Sequence, residues 1–106
     1  MSAPNPARGE AALGERKLVV DFNGFCTLEA ALGAKVPDIL KMMDAGLSFT
    51  QLRTFVRVFL HAEISDEDAG VLIEEIGLTE TLLAVTTAVA GFFKPKETEA
   101  RPRKAA

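Results

Sequence analysis

Apolar positions recur along this chain at two different periods, and the change of period separates a short N-terminal segment from everything after it. Leu18, Val20 and Phe22 alternate with Lys17, Val19 and Asp21, the two-residue repeat of a half-buried strand. A second short apolar run, residues 10–13, precedes Gly14-Glu15-Arg16, so the spacing predicts a β-hairpin over residues 10–22. An isolated hairpin is marginal in water and must lay one face on the rest of the domain.

Beyond the hairpin the period becomes helical, and glycine stops and N-terminal caps divide the chain. A first helix over residues 24–32 places Phe25, Leu28, Glu29 and Leu32 at helical spacing and ends at Gly33. A second has Pro37 in its first turn and Asp38 beside its positive end, runs through Ile39, Leu40, Met42 and Met43, and stops at Gly46. A third opens on Ser48 with Gln51 three residues on, a capping box, and carries Leu52, Phe55, Val56, Phe59 and Leu60 on one stripe. A fourth opens on Ser65, with Asp68 as the second half of another box, and buries Ala69, Leu72, Ile73 and Ile76 before Gly77. Thr79 is placed to cap a fifth. The expected fold is mainly α: a compact bundle of four to five short helices with a small N-terminal β-hairpin.

The fifth helix carries no charge from Thr81 to Phe93. Leu82, Val85, Val89, Phe92 and Phe93 make a broad apolar face, while Ala84, Ala88 and Gly91 make the opposite face small and uncharged. The run falls short of the roughly 20 apolar residues that span a bilayer. It is therefore either the central helix of the bundle or a surface for a partner. With the broad face packed inward, the small face is expected to stay open to a neighbouring copy or a client, which makes Ala84, Ala88 and Gly91 the candidate partner-binding residues.

Pro4 and Pro6 mark residues 1–8 as a flexible arm; residues 9–93 form a single domain, and residues 94–106 offer no core face and read as a disordered charged tail. With 106 residues, 48% of them apolar and 25% charged, the chain has the balance of one soluble globular domain. A formal charge of −3 hides a split: residues 1–93 hold 7 bases and 13 acids, residues 94–106 hold 5 bases and 2 acids. Glu63, Asp66, Glu67, Asp68, Glu74, Glu75 and Glu80 follow one another with no intervening base. Such a surface repels phosphates and argues against specific nucleic-acid binding. The single Cys26 fits a reducing compartment, and residues 1–6 lack the basic and apolar regions of a secretory signal, so the expected location is the cytoplasm.

Candidate chemistry is sparse. Asp66-Glu67-Asp68-Ala69-Gly70 suggests the start of a calcium loop, but the fifth, sixth and twelfth positions would be Gly70, Val71 and Gly77, which supply no ligands. An acidic first helical turn explains the run better. His61 and Cys26, each the only residue of its type, have no spacing that pairs them as base and nucleophile. His61 reads as a solvent-side residue near a helix end and Cys26 as a small buried hydrophobe. Arg53 and Arg57 form a short basic stripe suited to pairing with the acids of the next helix. No catalytic, cofactor-binding or metal-ligating set is expected.

The order of features resembles a known family. Arg8-Gly9-Glu10, the hairpin, and Phe25-Cys26-Thr27-Leu28-Glu29-Ala30-Ala31-Leu32-Gly33 are similar to the start of small tail proteins of gene transfer agents and related prophages, which read as Arg-Gly-Glu, a hairpin, and a helix ending in Glu-x-x-x-Gly. Glu29 and Gly33 supply that ending. The stretch from Ile64 to Gly77 looks like that family's acidic helix before its last apolar helix, so the resemblance covers residues 8–93. No single motif in it is catalytic or unique, and the specificity lies in the order of elements.

The resemblance implies a non-enzymatic phage or gene-transfer-agent tail component of a family grouped with tail assembly chaperones, though some members are described as tail tube proteins. Tube subunits are built on extended β-sheets, and the helical pattern here favours a chaperone that keeps the tape-measure protein soluble before the tube forms. Self-association into a homo-oligomer is compatible with the same surface. The alternatives are a tail tube component and a generic helical interaction or regulatory module.

Overall fold

Asp21 sets the point at which the strand period gives way to helix. In the computed structural model, which describes residues 4–93, the Asp21 carboxylate accepts from the Gly24 N–H at 2.7 Å and caps helix α1, Phe22–Leu32. The hairpin is correspondingly shorter than its apolar alternation suggests: β1 is Glu10–Leu13 and β2 is Arg16–Val19, antiparallel, with Ala11 opposite Leu18. Ala11, Leu13, Leu18 and Val20 point inward, whereas Phe22, the next residue of the alternation, opens α1 and is 73% exposed.

The remaining helices are α2 (Val36–Ala45), α3 (Phe49–Phe59), α4 (Asp66–Ile76) and α5 (Leu78–Phe93), so the protein is mainly helical with one two-stranded hairpin among the described residues. Their ends follow local chemistry. The Ser48 hydroxyl accepts from the Gln51 N–H at 3.1 Å and the Gln51 side chain accepts from the Ser48 N–H at 2.9 Å, closing the expected box. Ser65 caps α4 by accepting from the Asp68 N–H at 3.0 Å. Glu29 and Gly33 build the corner between α1 and α2: Gly33 donates to the Glu29 carbonyl at 2.8 Å, and the Glu29 carboxylate accepts from the Val36 N–H at 3.0 Å. The Glu-x-x-x-Gly signature is thus an architectural corner.

Thr79 does not cap α5. The helix begins at Leu78, two residues earlier than such a cap would place it and directly after Gly77, and α4 and α5 meet there at 107°. Thr81, fully buried, donates its hydroxyl to the Gly77 carbonyl at 2.8 Å and fastens that bend from inside the first turn.

The core joins all layers. Leu13 and Leu18 of the hairpin, Leu28 of α1, Ile39 of α2, Leu52, Phe55, Val56 and Phe59 of α3, and Val85 of α5 are each almost completely buried. Phe25 is the aromatic hub, edge-on to Phe59 with ring centroids 5.4 Å apart and 5.3 Å from Phe92. Such a centre fixes α1, α3 and α5 against one another.

Two expectations are corrected around α5. The small face is not open: Ala88 has no exposed surface, Ala84 is 8% exposed and Gly91 is buried, because the protein's own N-terminal segment lies on it. β1 and a 3-10 turn, Pro6–Arg8, make the contact. The arm read over residues 1–8 is therefore docked structure from Pro6 onward, while residues 1–3 and the tail 94–106 lie outside the described residues. At Gly91 the approach is so close that a Cβ would overlap the Pro6 carbonyl oxygen. Ala84, Ala88 and Gly91 are small because the domain closes over them.

This packing makes two substitutions informative. Ala88→Glu forces a carboxylate beneath the hairpin and is expected to unfold the domain or cost at least about 3 kcal/mol, and Gly91→Ala, which must displace Pro6, about 1–3 kcal/mol. Urea unfolding checks both. A stably folded Ala88→Glu protein would contradict this burial.

Glu10 gives a pH signature to the same junction. The Asn5 N–H donates to its carboxylate at 3.0 Å, and Lys17 lies 3.5 Å away, which together hold the Glu10 carboxyl below its ordinary value. The folded state thus favours the ionised form, so its contribution is present above the ordinary carboxyl value and lost as pH falls through the lowered one. The Asn5 amide resonance is expected to shift in that acid window, and not to do so in Glu10→Gln.

Candidate functional site

With the small face of α5 covered, the apolar surface left to solvent lies elsewhere. The cap at Ser48 starts α3 at Phe49, one turn before its first core residue Leu52, and this extra turn carries Phe49 past the core to 76% exposure. On α4, Ala69, Leu72, Ile73 and Ile76 face the core or its edge, which leaves Val71 on the far side and 49% exposed. Leu78, at the bend into α5, is 42% exposed. These three side chains line one groove between α3 and α4, about 500 Å³ in volume, with Leu52 and Ile73 in its wall. Leu83 and Phe93 of α5 and Phe22 of α1 are also exposed but do not line it.

The groove has an acidic side. Glu67, Gly70, Val71 and Glu74 fall on one row of α4, so a carboxylate stands one turn to either side of the Gly70–Val71 pair. The opposite wall carries Thr50 and Arg53. Arg53 is engaged in part: its guanidinium lies 3.9 Å from Asp66, whose other oxygen is 2.7 Å from Arg57 Nε. The basic stripe of α3 thus pairs with the first turn of α4, as its spacing predicts, and Asp66 ties the two walls together at one end. These side chains are between 35% and 55% exposed, so the pairs contribute orientation more than stability.

Gly70 sits mid-helix where the fold has room for a side chain. A Cβ there would meet only Arg53 Cδ, at 3.8 Å, an ordinary contact. Glycine at such a position costs a helix about 1 kcal/mol relative to alanine. Nothing in the domain's own packing repays that cost, and its effect is a smooth floor for the groove.

The chemistry-bearing residues singled out in the sequence are not assembled into a centre. Cys26 is exposed on α1, not buried as its apolar neighbours suggest. His61, just past the end of α3 with φ 55°, places Nε2 2.9 Å from the Val19 carbonyl oxygen and 3.6 Å from an Asp21 oxygen. Its contacts pin the end of the hairpin beside the cap of α1. Asp66, Glu67 and Asp68 form the first turn of α4, and among the described residues no group of three or more His, Cys, Asp or Glu side chains is arranged to hold a metal ion. No single helix among them is long and apolar enough to cross a membrane.

No family model, no curated protein and no solved structure matches the chain. The sequence carries one signal for the groove. Val71 is an apolar residue off the core stripe of its helix, between two acids and next to a helical glycine.

Groove residues and core residues are expected to separate cleanly in unfolding experiments. Phe49→Ala changes stability by less than about 0.5 kcal/mol, Gly70→Ala raises it by about 0.5–1 kcal/mol, and Phe55→Ala, from a fully buried site, lowers it by about 3–5 kcal/mol. Urea midpoints at constant slope provide the measurement.

Proposed function

We propose that this protein is a non-enzymatic binding module of phage or gene-transfer-agent tail morphogenesis, a tail assembly chaperone that holds the tape-measure protein through the α3–α4 groove. The observation that carries the binding role is the exposure of Phe49, Val71 and Leu78 around one open groove in a domain whose other large side chains are mostly in its core. The tail assignment rests on the order of elements from Arg8-Gly9-Glu10 through Glu29-x-x-x-Gly33 to the acidic helix before the last apolar one.

The helical content supports a chaperone over a tube subunit. The two strands are four residues each and form an isolated hairpin whose inner face is spent on the core. A stacked ring of β-sheets has little to build on here. A chaperone of an apolar, helical client needs a groove that shields apolar side chains and a net charge that keeps the complex dispersed, and residues 1–93 carry six more acids than bases. The setting implied is the cytoplasm of the host during particle assembly, with no cofactor and no specific nucleic acid involved.

Co-expression with a tail tape-measure protein is the direct test. The expected result is a soluble complex with the native chain and an insoluble tape measure with Val71→Glu, at equal levels of folded chaperone. A tape measure equally insoluble with and without the native chain would refute the chaperone role.

A further inference from the structure

The groove's chemistry specifies its occupant more closely than the chaperone reading does. We infer that it binds a basic amphipathic α-helix, with the apolar stripe of that helix laid over Gly70 and its lysines or arginines beside Glu67 and Glu74. The inference rests on the groove being a binding site and adds the class of partner.

Three features of the site carry it. The walls are two helices with no strand edge between them, so an incoming segment packs by side-chain ridges and not by backbone pairing. α4 is 11 residues long, which offers about 16 Å of wall, or three turns of a partner helix. The bare floor at Gly70 lets such a helix approach closely, and the fold itself makes no use of the missing side chain.

Charge selects among amphipathic helices. Glu67 and Glu74 border the apolar row, the surrounding residues 63–80 contain seven acids and no base, and Arg53 on the opposite wall is drawn toward Asp66. An acidic segment would meet repulsion along the whole of α4, whereas a basic one pairs on both sides of Val71. The chain's own residues 94–106 are basic, but their uncharged residues are only Ala, Pro and Thr, too small to fill a space lined by Phe49, Val71 and Leu78.

The test uses the full chain and two labelled synthetic peptides of about 18 residues, with the same leucine stripe and either lysine or glutamate flanks, read by fluorescence anisotropy. The lysine peptide is expected to bind about three- to tenfold more tightly at low salt, with the gap closing as salt rises. Val71→Glu and Gly70→Leu are expected to weaken it by more than about tenfold while leaving urea unfolding unimpaired, and the Glu67→Lys, Glu74→Lys double variant to reverse the preference. Equal binding of both peptides, or binding indifferent to Val71→Glu and Gly70→Leu, overturns the inference. So does a dimer that Val71→Glu dissociates, which would make the occupant a second copy, or displacement of the peptide by a synthetic 94–106 segment. Tape-measure capture that survives in a Val71→Glu protein unable to bind the peptide supports the groove's specificity, leaves the tail role standing and places the tape measure on another surface. Peptide binding as described, in a protein that captures no tape measure, supports the groove's specificity and removes the tail role instead.

Discussion

The structure depends on the close approach of the N-terminal segment to α5. That helix has no charged residue after Glu80, and two of its sides are covered while Leu83 and Phe93 stay exposed. Phe25 and Phe59 belong to the cover on one side, and the 3-10 turn and hairpin supply the other. The second cover works only because Ala84, Ala88 and Gly91 leave room for backbone against backbone. Pro6 could not reach Gly91 over any larger residue. Once that contact forms, the hairpin gains the support that an isolated pair of short strands lacks, and His61 holds the same end through the carbonyl of Val19, the partner of Glu10.

With these two faces of α5 covered, the exposed apolar side chains that share one groove are Phe49, Val71 and Leu78, while Leu83 and Phe93 of α5 stand apart from it. The bend at Gly77 turns α4 away from α5 at 107°, so α4 packs chiefly on α3 and only one of its faces meets the core. The outer face is left with Val71, and the extra turn at the start of α3 brings Phe49 beside it. Asp66, paired to Arg57 and Arg53, keeps the two helices in register at the acidic end. The groove is thus a consequence of where two helices start and stop, and those limits are set by Ser48, Ser65 and Gly77.

Local signals in the sequence were legible where the chemistry that ends an element is itself local. The Ser48–Gln51 box, the Ser65 cap and the stops at Gly33, Gly46 and Gly77 all lie where residue types place them. The sequence is ambiguous where one residue can do two jobs. Asp21 continues a strand alternation and equally caps a helix, and the hydrogen bond to Gly24 decided for the helix, taking Phe22 with it. Thr79 is a good capping type, yet α5 starts directly from Gly77 because the buried Thr81 bonds back to it. Cys26 lies close to Phe25 and Leu28 in sequence, but helical rotation carries it outward while those two turn in.

The small residues of α5 posed a different difficulty, since a row of Ala and Gly reports that something comes close without saying what. The answer lay some eighty positions away in sequence, in a turn whose prolines resemble an unstructured arm. The structure resolves it by asking whether the molecule itself occupies the space where the side chain is missing. At Gly91 it does, since a Cβ would overlap Pro6 and the glycine is consumed by the fold. At Gly70 it does not: the space is open, the helix bears the propensity cost, and two carboxylates and a bulky apolar residue stand around it. The same residue type therefore marks an internal contact in one helix and an open position in another. That difference is why the proposed binding surface lies not on the small face of α5, where composition suggests it, but on the face of α4 that the domain leaves uncovered.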